Sequence, residues 1–96
     1  MRPEFSPAML KVFLRARIAD AVFRAGGAEP AGGVRYDATR KAKAGIRKAA
    51  GVTNFEFNFA WTGRLNTAEA RAKLWGALGH VPADHGVTLT DDGGQE

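Results

Sequence analysis

The chain has no cysteine, which excludes disulfides and thiolate metal sites and fits a reducing compartment. No apolar run approaches the ~20 residues that span a membrane. The first ten residues, MRPEFSPAML, lack the unbroken apolar core and small-residue cleavage site of a secretory signal. Lysine and arginine are absent from residues 80–96, which hold four acidic residues. No glycine-rich phosphate loop follows a strand, since Gly26-Gly27 and Gly32-Gly33 read as turn residues. No spacing of Ser, His and Asp, and no carboxylate pair, argues for a nucleophile or an acid–base couple. His80 and His85, with Asp84 beside the second, lack ligand spacing. The expectation is therefore a cytoplasmic protein without enzymatic activity, metal or cofactor.

What is present is one small domain. Ninety-six residues bury roughly 60–65% of the surface exposed by the unfolded chain, so the core is modest and dimerisation would help it. The net charge of +4 is unevenly spread. Residues 34–79 carry nine Lys/Arg against three Asp/Glu, and the acidic end follows. A basic patch attracts polyanions and speeds their encounter; the plain alternative is a solvated surface.

Punctuation along the chain marks helices. Ser6 is a good N-cap, Pro7 suits the first helical position, and Phe5 before the cap can staple onto Leu10. Leu10, Phe13, Leu14, Ile18, Ala21, Val22 and Ala25 recur at helical spacing until Gly26-Gly27 stops the helix. Lys11, Arg15 and Arg24 fall off that stripe. Residues 28–36 read as a Gly/Pro loop with a short extended piece at 34–36, and Asp37 is the next plausible cap. A second helix follows, with Ala42, Gly45, Ile46, Ala49 and Ala50 as a narrow stripe of small residues open to close helix approach, and Gly51 as its end. A last helix is signalled by Asn66 as cap with Glu69 reaching back, the apolar face Ala70, Leu74, Trp75 and Leu78, and the stop at Gly79 and Pro82. Residues 83–96 are expected to form an acidic, flexible tail.

Residues 52–61 support two readings. On a strand, Phe55, Phe57, Phe59 and Trp61 share one face, and Phe and Trp favour strands. On a helix, Phe57, Ala60 and Trp61 share a face, and Phe55 and Phe59 fall opposite. The surrounding pattern favours the helix. The expected fold is mainly α, a helix-turn-helix bundle of four to five helices over residues 6–82 behind an N-terminal arm at 1–5. It leaves room for a short β element at 34–36, 52–61 or 86–90.

Residues 45–79 resemble the repressor/Cro-type helix-turn-helix domains of phages and bacteria. Ile46, Ala50, Gly51 and Val52 match that family's apolar, small, turn-glycine, apolar order; Phe57, Ala60 and Gly63 match its second helix and the glycine after it; LWGALG at 74–79 matches its closing phrase. The first helix is also similar, so the resemblance covers most of 6–79. Arg47 stands where the family has a small residue at the helix crossing, which could force a wider angle, and the first loop is longer than usual. The resemblance implies a sequence-specific duplex-DNA regulator acting as a homodimer. Its recognition helix would start at Thr53, with Asn54 and Asn58 reading base edges. Phe55 would sit on thymine methyls. Lys43, Arg47, Lys48 and Arg64 would lie beside phosphates. Phe55 and Phe59, exposed one turn apart, need a partner: DNA, a second subunit or the first helix. Two rival functions use them otherwise, one as the hot spot of a small protein-binding inhibitor or adaptor, the other as a stacking platform for single-stranded nucleic acid.

Overall fold

A computed structural model describes residues 4–26 and 32–96, with the side chains at 26 and 32–36 outside the description. Among these residues four α-helices pack into a small bundle: α1 (Pro7–Gly26), α2 (Gly32–Ala50), α3 (Asn54–Trp61) and α4 (Ala68–Ala77). A 3-10 turn, Pro82–His85, and one antiparallel bridge between Leu89 and Gln95 complete the chain. Helix α1 is central and packs against the other three, while α2 and α3 also reach α4. Among the described residues no helix is long and apolar enough to cross a membrane.

Local chemistry sets most helix ends. The Ser6 hydroxyl accepts from Met9 N–H at 3.2 Å, and Pro7 opens α1 as its fixed φ allows. Gly51, Gly63 and Gly79 each take a positive φ just past a helix. Behind each, the next residue's N–H bonds five residues back: Val52 to Arg47 O, Arg64 to Phe59 O, and His80 to Trp75 O. This paired capping satisfies carbonyls that a helix end leaves open, and glycine alone reaches the required φ without strain.

The core gathers Phe5, Leu10 and Leu14 with Val52, Phe57, Ala60, Ala70, Leu74, Trp75 and Leu78. Trp75 is its centre: the rings of Phe5 and Phe13 both meet it edge-on at 5.0 Å. His80 and His85 pack on core aromatics, His80 against Phe13 at 5.1 Å and His85 against Phe5 at 5.6 Å.

The structure departs from the sequence reading at several places. Residues 34–36 are helical and not extended, and Asp37 lies inside α2, where it pairs with Arg40 at 3.4 Å. Packing of α2 along α1 outweighs the poor helix propensity of its two leading glycines; the loop residues 28–31 lie outside the described residues. Gly45 has nothing within 4 Å of the position a Cβ would take, so it does not serve a close helix approach. The cap of α4 is Thr67, whose hydroxyl accepts from Ala70 N–H at 3.1 Å, while Asn66 is turned inward. Glu69 pairs with Lys73 at 3.1 Å and does not reach back to the cap.

Residues 83–96 are folded onto the bundle where a free tail was expected. Thr88 and Glu96 exchange both backbone hydrogen bonds, at 2.9 and 2.8 Å, across a turn closed by Thr90 and Gly94. The hairpin is pinned at three points. Ala68 N–H, an open donor in the first turn of α4, bonds to Asp91 Oδ1 at 2.8 Å. Phe5 N–H bonds to Gln95 Oε1 at 3.2 Å. The Arg71 guanidinium bonds to Thr90 O. Val87 is buried beneath it.

Candidate nucleic-acid interface

Helix α3 begins with reciprocal capping. The Thr53 hydroxyl accepts from Glu56 N–H at 3.1 Å, and the Glu56 carboxylate accepts from Thr53 N–H at 2.8 Å. Two open donors are satisfied, and the Glu56 charge sits at the positive end of the helix dipole. This local device decides 52–61 in favour of a helix. At 100° per residue Phe57 and Ala60 then turn inward and are buried, and Phe55 and Phe59 turn outward.

The outer face of α3 is therefore Asn54, Phe55, Asn58 and Phe59. Both asparagines are exposed, and neither side-chain amide has a hydrogen-bond partner among the described residues. Phe55 is 69% exposed. Its ring lies 4.6 Å from that of Phe59, and the Arg64 guanidinium sits 5.8 Å over the Phe59 ring. The two rings pack on each other, Phe55 exposed and Phe59 half-buried.

The inner face is tied to the scaffold. Asn66 is 8% exposed, and its Nδ2 donates to Glu56 O at 2.7 Å, joining the α3–α4 loop to the first turn of α3. At the other end, Arg15 of α1 donates from Nε and Nη2 to Trp61 O at 3.1 and 2.9 Å, and its guanidinium lies 4.4 Å from the Trp61 ring centre. The Lys43 ammonium of α2 stands 4.2 Å from the same ring. Two cations on one indole, with charged donors on a helix-terminal carbonyl, hold α3 to both α1 and α2. The Lys11 stem runs past Gly63, so close that a Cβ there would come within 3.0 Å of its Cδ.

The cations named from the sequence divide into two groups. Lys48, in the last turn of α2, and Arg64, just past the end of α3, are exposed. Arg47 and Lys43 are half-buried: Arg47 Nη1 donates to Val52 O at 3.2 Å across the glycine turn, and Lys43 lies on Trp61. Arg47 thus braces the turn and does not wedge two helices apart. Sequence reading missed Arg15, whose contact lies 46 residues away and leaves no local trace. It also missed the role of Glu56, although the spacing Thr53-x-x-Glu56 is itself a capping signal.

Among the described residues no group of three or more His, Asp or Glu could hold a metal ion. No family model, curated protein or solved structure matches this chain.

Proposed function

We propose that the chain is a sequence-specific duplex-DNA-binding regulator of the helix-turn-helix type, working in the cytoplasm as a homodimer, with α3 as its reading helix. The observation that carries this reading is the pair Asn54 and Asn58. They stand one turn apart on an exposed face with unbonded amides, on a helix whose opposite face is buried and braced. An amide can bond adenine in bidentate fashion from the major groove, and rigid support lets such contacts discriminate. Lys48 before α3 and Arg64 after it are exposed and suit phosphates. In a dimer, half-sites would lie about one helical turn apart. The similarity of residues 45–79 to repressor/Cro-type domains points the same way.

The test is selection from a random duplex library, followed by binding across a salt series with heparin as competitor. A selected sequence that is bound in preference to heparin is expected. Asn54→Ala or Asn58→Ala should relax base preference at one position, while Lys48→Ala should weaken all sequences alike and flatten the salt slope by about one unit. Equal binding of duplex and heparin at every salt concentration would sink the reading. The exposed Phe55, packed on the half-buried Phe59, favours one rival, a protein-binding adaptor. That rival wins if Phe59→Ala abolishes a protein complex and spares DNA.

A further inference from the structure

Helix α1 carries a second apolar stripe, on the side away from the core. Val12, Ala16, Ala19 and Phe23 are all exposed, Phe23 to 61%. At 100° per residue they fall within an arc of roughly 60°, opposite Leu10, Leu14 and Ile18. A helix buried on one side has no need of this stripe for folding, and isolated exposed apolar residues would not align over eleven positions.

Beside the stripe lies a hollow of about 370 Å³, lined by Val12, Phe13, Ala16 and Leu78 with Arg17 and Asp20. It is mostly apolar and has room for a phenyl ring. Phe23 stands two turns beyond Ala16 on the same helix, roughly 10 Å along the axis. Knob and hollow thus belong to one surface, with Ala19 between them.

We propose that this face of α1 is a self-association surface, on which a second copy of the chain packs antiparallel so that Phe23 of each copy enters the hollow of the other. A two-fold axis passing near Ala19 does this. It brings Phe23 of one copy over Ala16 of the other and lets the small Ala19 side chains meet at the axis. Such an isologous contact requires a patch complementary to itself, and the rim charges comply: Arg17 donates to Leu78 O at 3.1 Å and Asp20 pairs with Arg24 at 3.2 Å within each copy, so no unpaired like charges are forced together. The strip is about 16 Å long. A single-helix strip of this length is small beside the ~1,200 Å² of standard stable interfaces, so a weak, concentration-dependent dimer is expected. The surface gives a physical basis to the dimer in the DNA-binding reading, but it rests on α1 alone.

The experiment is sedimentation velocity on the full chain, from low micromolar to submillimolar concentration, without DNA. A monomer–dimer equilibrium is expected. Phe23→Glu should raise the dissociation constant more than about tenfold with helicity unchanged, because Phe23 is exposed. The chain has no cysteine, so Ala19→Cys places a single thiol near the axis. It should form a disulfide-linked dimer faster on mild oxidation than Lys48→Cys, an exposed position on α2 outside the proposed contact. A wild type that stays monomeric throughout, or a Phe23→Glu variant that dimerises as the wild type does, overturns the proposal. So does equal cross-linking of the two thiol variants. DNA binding is read separately, so monomers that still select a duplex sequence would remove the dimer surface and leave the reading helix standing.

Discussion

Arg71 is completely buried, and its guanidinium links the bundle to the hairpin: Nε donates to Asn66 O at 3.4 Å and Nη2 to Thr90 O. Burial pushes its pKa below the usual arginine value, and the nearby charges of Asp91 and Asp92 counter that shift. Its Nη1 has no partner among the described residues, so the site is only partly satisfied. We expect Arg71→Ala to cost about 2–4 kcal/mol, from lost packing of the stem and from carbonyls left open; urea unfolding measures this. Hydrogen exchange should also speed up at Thr88 and Glu96, and unchanged exchange there would show that the hairpin does not depend on the guanidinium. Nothing in the local sequence singles Arg71 out, because Ala70, Leu74, Trp75 and Leu78 already account for the inner face of α4. Asn66 misleads for a related reason. It and Thr67 are both good caps, and a tertiary bond to Glu56 O leaves the capping to Thr67.

Helix ends were the most legible part of the molecule. Gly51, Gly63 and Gly79 stop their helices because only glycine adopts the left-handed turn at no cost, a property of the residue and its near neighbours. The start of α2 was not legible. Helix α2 as a whole packs along α1, which a local reading does not see. Helix α3 lies between these cases, since its alternating aromatics imitate a strand while Thr53 and Glu56 cap a helix. Gly45 offers a clean test at this scale. It lies in the interior of α2, exposed, with open space where a Cβ would go. Gly45→Ala should stabilise the protein by about 0.5–1 kcal/mol through helix propensity and lower unfolded-state entropy. Thermal unfolding would register this as a rise in midpoint, and a fall would show that α2 is packed there after all.

At the scale of the whole molecule, the hairpin at 88–96 joins both ends of the chain, through Gln95 to Phe5 and through Asp91 to α4. The Thr90 hydroxyl, at 2.5 Å, and Gly94 N–H, at 3.0 Å, hold the Asp92 carboxyl below the usual carboxylate range. A carboxylate whose pKa is depressed by folding contributes stability above its unfolded pKa and loses it as pH falls through the folded value. The turn at 90–94 should therefore hold through mildly acidic pH and loosen only below the ordinary carboxylate range, while the bundle core persists. Carbon-13 titration of the Asp92 carboxyl checks this, and a titration midpoint at or above the ordinary value would contradict it.

The sequence by itself determined the mainly helical class, the first helix, the glycine stops, the inner faces of α1 and α4 and the outward placing of Phe55 and Phe59. All of these follow from residue spacing and short-range capping, which act within a turn or two. Tertiary structure alone decided the early start of α2, the inward turn of Asn66, the burial of Arg71, the clamp of Arg15 and Lys43 on Trp61, and the docking of residues 83–96. The start of α2 goes with packing along α1, and the others depend on a donor and an acceptor, or a cation and a ring, brought together from distant parts of the chain; such meetings leave no periodic mark in the sequence.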